Sequence, residues 1–193
     1  SDAYVVDIAS GERTRVVTEL RGRGTSSPDG RTLAFFRDNQ WFAVDVSSGE
    51  TVCLTKDLKV PFHREDDDRP EPAGAHGIAG WTEDGRILLN DRFDVWVMGR
   101  DGSKPRRVTD GWGRAKKTRL RYTRLDPEER FVPTEKTLMF AATNQETMAS
   151  GYYTDSVDGA YGPTEVVMLD KSFGSLTKAK KADRCVYTLT TFA

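Results

Sequence analysis

Apolar and polar residues alternate along this chain in short runs that turn residues interrupt every few positions. The patterned runs are Tyr4 to Asp7, Arg15 to Thr18, Thr32 to Phe36, Trp41 to Val46, Thr51 to Leu54, Ile87 to Asn90, Val95 to Met98, Arg106 to Val108, Leu138 to Ala142, Gly151 to Thr154, Glu165 to Leu169 and Cys185 to Leu189. They are rich in β-branched and aromatic residues, which fit a pleated, half-buried surface. No window of a dozen residues keeps apolar positions at the helical spacing, so the pattern predicts an all-β chain.

The runs repeat. Ser27-Pro28-Asp29-Gly30-Arg31-Thr32-Leu33-Ala34-Phe35 has a counterpart in Thr82-Glu83-Asp84-Gly85-Arg86-Ile87-Leu88-Leu89, with weaker versions at Thr134 to Phe140 and Lys181 to Tyr187. The basic residue that opens the strand falls at Arg31, Arg86, Lys136 and Arg184, at spacings of 55, 50 and 48. Between these lies a second element: Asp7 to Glu12 ending at Val17-Thr18, Asp45 to Glu50 ending at Leu54-Thr55, and Arg100 to Ser103 ending at Val108-Thr109. Each reads as a strand, a tight polar turn with Gly where φ is positive, and a returning strand. A period near 50 built from four short antiparallel strands is the signature of a propeller blade. The expected architecture is a partial β-propeller of four-stranded antiparallel blades over residues 1–193. Its blades fall at about 1–18 (partial), 19–55, 56–109 with a loop insertion at 56–76, 110–177, and 178–193 (partial). In this frame Asp29-Gly30 and Asp84-Gly85 make turns, Leu33, Phe35, Leu88, Trp41 and Trp96 pack between blades, and all four Trp are core residues.

With those residues in view, the chain resembles the β-propeller repeats shared by the TolB-like proteins and the prolyl oligopeptidase and dipeptidyl peptidase IV group. Ala79-Gly80-Trp81-Thr82-Glu83-Asp84 through Asp94-Val95-Trp96, then Leu120 to Glu129, and later Ala149-Ser150-Gly151-Tyr152-Tyr153, are similar to large bacterial members of the peptidase group. The resemblance implies a propeller that covers a separate α/β-hydrolase domain carrying a serine nucleophile on a Gly-x-Ser-x-Gly elbow. No Gly-x-Ser-x-Gly occurs in these 193 residues. The expectation is therefore a non-catalytic segment that serves as lid and substrate filter, with the parent's C-terminal hydrolase domain and a peptide substrate as partners. The alternative is a TolB-like protein-binding propeller linked to no enzyme. No catalytic, cofactor or metal residue is assigned. The opening at a third strand and the stop after a second strand leave free edges, and these are expected to pair with another copy.

Composition narrows the picture further. A 193-residue chain with 37% hydrophobic residues can bury a core, and a net charge of −1 argues against a dedicated nucleic-acid binder. No apolar run approaches the ~20 residues of a membrane-spanning helix. Ser1-Asp2-Ala3-Tyr4 runs straight into patterned chain with no signal-peptide succession. Cys53 and Cys185 make neither a disulfide framework nor a zinc signature and read as small buried hydrophobes. His63 and His76 flank Glu65-Asp66-Asp67-Asp68, but the Pro-punctuated spacing (Pro61, Pro70, Pro72) matches no metal motif and reads as a solvated insertion. Ten basic residues between Arg100 and Arg124 (Arg100, Lys104, Arg106, Arg107, Arg114, Lys116, Lys117, Arg119, Arg121, Arg124), with Trp112 and Tyr122 interleaved, hint at nucleic acid. The strand period at Arg119-Leu120-Arg121-Tyr122 instead places the Arg side chains on one exposed face, where contact with acidic surface is expected. Gly22-Arg23-Gly24-Thr25-Ser26-Ser27 lacks the Lys and the helix of a phosphate loop and reads as a blade turn.

Overall fold

A computed structural model describes residues 1–193 apart from 21, 23, 69, 71, 192 and 193. Arg23 of the Gly22–Ser27 turn and the terminal Phe192-Ala193 thus lie outside the described residues. The fold is all-β, and its antiparallel strands are joined in chain order. The chain divides into two compact units, 1–76 with 98–105, and 77–97 with 106–193.

In the first unit, β1 (Ala3–Val6) pairs with β2 (Arg13–Val17). A four-stranded meander follows: β3 (Thr25–Ser26), β4 (Thr32–Arg37), β5 (Gln40–Asp45) and β6 (Thr51–Cys53). Local chemistry makes its turns. Gly30 takes φ 72°, while the Ser27 hydroxyl donates to Asp29 at 2.5 Å and accepts from Thr32 N at 3.0 Å, so the strand begins directly after the turn. At the next turn Asp45 accepts from the Ser47 and Ser48 amides, both at 2.9 Å, and from the Ser47 hydroxyl, which together hold its carboxyl down at about 2. The core is Val17, Phe35 and Val44 with Val16, Leu33 and Phe42 against it. Phe35 and Phe42 stack at 5.5 Å, and Arg37 lies over both rings at 5.4 and 5.3 Å.

The second unit carries the meander β7 (Ile78–Trp81), β8 (Arg86–Asn90), β9 (Val95–Gly99, whose last two residues belong to the first unit) and β10 (Arg106–Arg107). A one-turn helix α1 (Trp112–Ala115) leads to a third meander: β11 (Thr118–Thr123), β12 (Leu138–Asn144), β13 (Ser150–Asp155) and β14 (Thr164–Leu169). The hairpin β15 (Ser172–Lys178) with β16 (Cys185–Thr190) follows. The second strands of the three meanders start at Thr32, Arg86 and Leu138, beside the basic residues that mark the repeat. One core joins the two four-stranded sheets of this unit: Leu88, Val95, Val97 and Val108 meet Leu120, Leu138, Phe140, Ala142 and Tyr153. Burying each such side chain contributes about 1.5–3 kcal/mol, so this core dominates the unit's stability. Trp41, Trp81 and Trp96 are buried as expected; Trp112 is half-buried, its ring 4.7 Å from Tyr153.

Candidate functional site

In an up-and-down sheet the turn between strands two and three and the link leaving strand four emerge at the same end, because strands two and four run the same way. In the first unit these segments are Asp38-Asn39, a tight turn with φ 51° and 62°, and the 56–76 insertion. They enclose a cavity of about 700 Å3 lined by Phe36, Arg37, Asp38, Asn39 and Trp41 from the hairpin and by His63, Arg64, Glu65, Asp67 and Pro72 to Ala75 from the insertion. Phe36 and Trp41 meet edge to face at 5.3 Å. Trp41 is only 5% exposed, its amide is held by the Thr55 hydroxyl at 3.0 Å, and its indole Nε1 has no hydrogen-bond partner among the described residues. His63 Nδ1 is likewise buried, with no hydrogen-bond partner among the described residues.

The insertion departs from the solvated loop that its composition implies. Its two limbs pair: His63 bridges Ala75, Arg64 N donates to Gly74 O at 2.8 Å, and His76 N donates to Phe62 O at 3.0 Å. Phe62 anchors it, fully buried. Apolar burial at its base overrides the polar composition, while Arg64, Glu65, Asp66 and Asp68 remain exposed. Among the described residues no group of three or more His, Cys, Asp or Glu is placed to hold a metal ion.

The corresponding end of the next sheet is built on charge. Asp91 and Asp94 are fully buried at the β8–β9 turn. Asp91 accepts from the Phe93 and Asp94 amides at 2.7 and 2.8 Å and from Trp96 Nε1 at 3.0 Å, and Arg114 lies 3.7 Å away. Asp94 accepts from the Thr109 hydroxyl at 2.7 Å and from the Gly113 and Arg114 amides at 2.9 and 3.0 Å, tying this turn to the link that carries α1. Burial pushes the Asp94 carboxyl up, against the Thr109 bond and with help from Asp91. Around Phe93 stand Arg92, Arg114 and Lys117, at 5.3, 5.2 and 6.0 Å from the ring centre.

The basic stretch is thereby dispersed. Arg100 reaches Asp29 at 3.3 Å, Arg107 stacks over Trp96 at 4.8 Å, and Arg106 holds the carbonyls of Val157 and Gly159 beside Asp158. Those acidic contacts match the expected pairing with acidic surface. Arg119 is exposed, but Arg121 does not share its solvated face: its guanidinium donates to the carbonyls of Leu120, Asp91 and Arg92. Desolvation, with Arg119 adding to it, lowers its pKa to about 10. Lys116, Lys117 and Arg124 are exposed, Lys104 sits in a turn at φ 49°, and Tyr122 packs edge to face on Phe140. Cys53 and Cys185 are free and partly buried.

Sequence reasoning passed over Trp41 as a site residue and over the Asp91/Asp94 pair. The second had a signal: two carboxylates three positions apart between apolar strands are costly to bury unless a network receives them. Among known proteins, no family model matches the chain and no curated protein matches it.

Proposed function

We propose that the chain is a non-catalytic β-propeller segment of a larger serine peptidase, acting as lid and substrate filter for a hydrolase domain outside these residues. The observation that carries the reading is the succession of three four-stranded antiparallel meanders in β3–β6, β7–β10 and β11–β14. A shared turn supports it: Thr82 bonds Asp84 and accepts from Arg86 N at 2.9 Å, as Ser27 does with Asp29 and Thr32. Loops collected at one end of each sheet suit a filter, since ligand contacts on rigid sheets come from their loops. The two-stranded hairpin β15–β16 leaves Val186, Tyr187 and Leu189 exposed, which favours pairing with further sheet, either the parent's next blade or, in the isolated chain, a second copy.

The test is to read the coding sequence beyond Ala193 and assay the full-length product. The proposal expects further blades, then a Gly-x-Ser-x-Gly segment, and cleavage of short peptides but not of a folded protein. A coding sequence that ends with the propeller overturns the peptidase reading in favour of a TolB-like binding propeller.

A further inference from the structure

The first and last hairpins are each half a blade, and the halves are complementary. Among the described residues β1 pairs with β2 alone and β16 with β15 alone. The turn after β1 has the bonds of the turn after β5: Asp7 N donates to Glu12 O at 2.9 Å and Gly11 N to Asp7 O at 2.8 Å, as Asp45 N does to Glu50 O and Gly49 N to Asp45 O at the same distances. Thus β1 and β2 are a third and a fourth strand. The turn before β16 has the bond of the turn before β4: Ala179 N donates to Arg184 O at 2.8 Å, as Ser27 N does to Thr32 O. Thus β15 and β16 are a first and a second strand, and each hairpin lacks the pair that the other supplies.

We infer that in a chain of these residues β1 of one copy adds to β16 of a second copy, so that hairpins from two copies make one four-stranded blade. In β4 and β5, Thr32 faces Asp45 and Phe35 faces Phe42; the same register sets Arg184 opposite Asp7, Cys185 opposite Val6 and Tyr187 opposite Tyr4. Tyr4 and Tyr187, 56% and 39% exposed, then meet where Phe35 and Phe42 stack at 5.5 Å. Charge agrees with this register. The turn with Asp7 and Glu12 comes beside Lys180, Lys181 and Arg184, which outnumber the neighbouring Asp183. The faces agree as well. Ala3 packs on the core of Val17, Phe35 and Val44, so Tyr4 and Val6 point the other way and stand exposed. Tyr187 packs on Tyr152 and Phe173, with ring centres 6.1 and 4.9 Å away, so Val186 points away from them and is 73% exposed. Opposite residues share a face, so the pairing puts Tyr4 and Val6 on the side of Tyr152 and Phe173, and Val186 on the side of Ala3. Each half covers the apolar residues that the other leaves bare. The partner is a second copy because the two hairpins of one chain stand in separate sheets. None of this uses the peptidase reading, whose failure registers separately in the full-length cleavage assay.

The experiment is oxidative cross-linking of the 193-residue chain. In a Cys53→Ser background the remaining native thiol is Cys185, and Val6→Cys places a second thiol opposite it. Val6 is exposed, so the substitution keeps the fold. Oxidation by copper phenanthroline, followed by denaturation without reductant and mass mapping, should find position 6 of one copy joined to Cys185 of another, in dimers or head-to-tail multiples. Val5→Cys points to the opposite face and should cross-link about tenfold more slowly or worse. Light scattering of the unmodified chain should show association, and Tyr4→Lys, at an exposed position, should raise the dissociation constant about tenfold or more. A link closed within a single chain gives the edge to the chain's own hairpin and overturns the second copy. Equal rates for the two cysteine variants, or an unmodified chain that stays monomeric up to about 1 mM, overturn the pairing itself.

Discussion

Replacing Asp94 with Ala should be the most destabilising single polar substitution in the second unit's loop network. Its carboxylate accepts three bonds, from Thr109 Oγ1 at 2.7 Å, Gly113 N at 2.9 Å and Arg114 N at 3.0 Å. Both Thr109 and Gly113 are buried, so the truncated site orphans donors away from solvent. Each orphan costs about 1–3 kcal/mol, which for three donors sets an upper bound near ~9 kcal/mol. Two effects reduce it: the Thr109 hydroxyl can rotate, and removing a carboxylate whose pKa burial has raised returns part of its desolvation. The expected net loss is about 3 kcal/mol, or about 13 °C in Tm for a unit of this size. Urea unfolding followed by circular dichroism and tryptophan fluorescence measures it. Thr109→Val, alone and combined with Asp94→Ala, should show non-additivity of about 1 kcal/mol, since the two share a bond. A loss below about 1 kcal/mol, or strict additivity, refutes the argument that this network ties the turn to the α1 link.

Two further expectations concern pH and packing. Arg86 grips Asp158 at 2.6 and 3.0 Å and holds its carboxyl below the ordinary 3.8, so the stability it gives is present above that value and is lost as pH falls through the folded value. Melts from pH 6 to pH 2 should show Asp158→Asn losing less than the parent chain on acidification. Burial raises the Asp155 carboxyl, so its contribution runs the other way: it is present below 3.8 and lost as pH rises through the folded value, and Asp155→Asn should flatten that limb. Gly151→Ala would drive a Cβ into Val167 O and to 2.8 Å from Val167 C, backbone of the paired strand β14 that can yield only by opening the ladder. It should cost about 3 kcal/mol or more. Gly30→Ala, with nothing within 4 Å but φ 72°, should cost only the left-handed penalty of about 1–2 kcal/mol, and thermal melts of the two rank them.

The strands and turns that carry the repeat were legible because their causes are local. Short apolar runs bounded by turn residues mark Thr32 to Phe36 and Leu138 to Ala142 whatever lies around them, and Asp29-Gly30 or Asp84-Gly85 needs only a residue that accepts positive φ, which Gly30 and Gly85 supply at 72° and 86°. Strands without such a pattern needed a partner to define them. Thr25–Ser26 has two residues, Ile78–Trp81 contains Gly80 pressed against Val132, and Ser172–Lys178 is largely polar; each is a strand because a neighbour's free N–H and C=O groups pair with it. The candidate site was legible least of all. Trp41 reads as core from sequence, and it is core, but whether its N–H finds an acceptor depends on which turn and which link the strand directions bring to one end of the sheet. Arg121 likewise alternates with Leu120 as a surface residue would, yet the carbonyls of Asp91 and Arg92, some thirty positions earlier in the chain, receive its guanidinium. Alternation and turn geometry are properties of neighbours in sequence and are written there; partnership of buried polar atoms is a property of neighbours in space, and only the packed chain decides it.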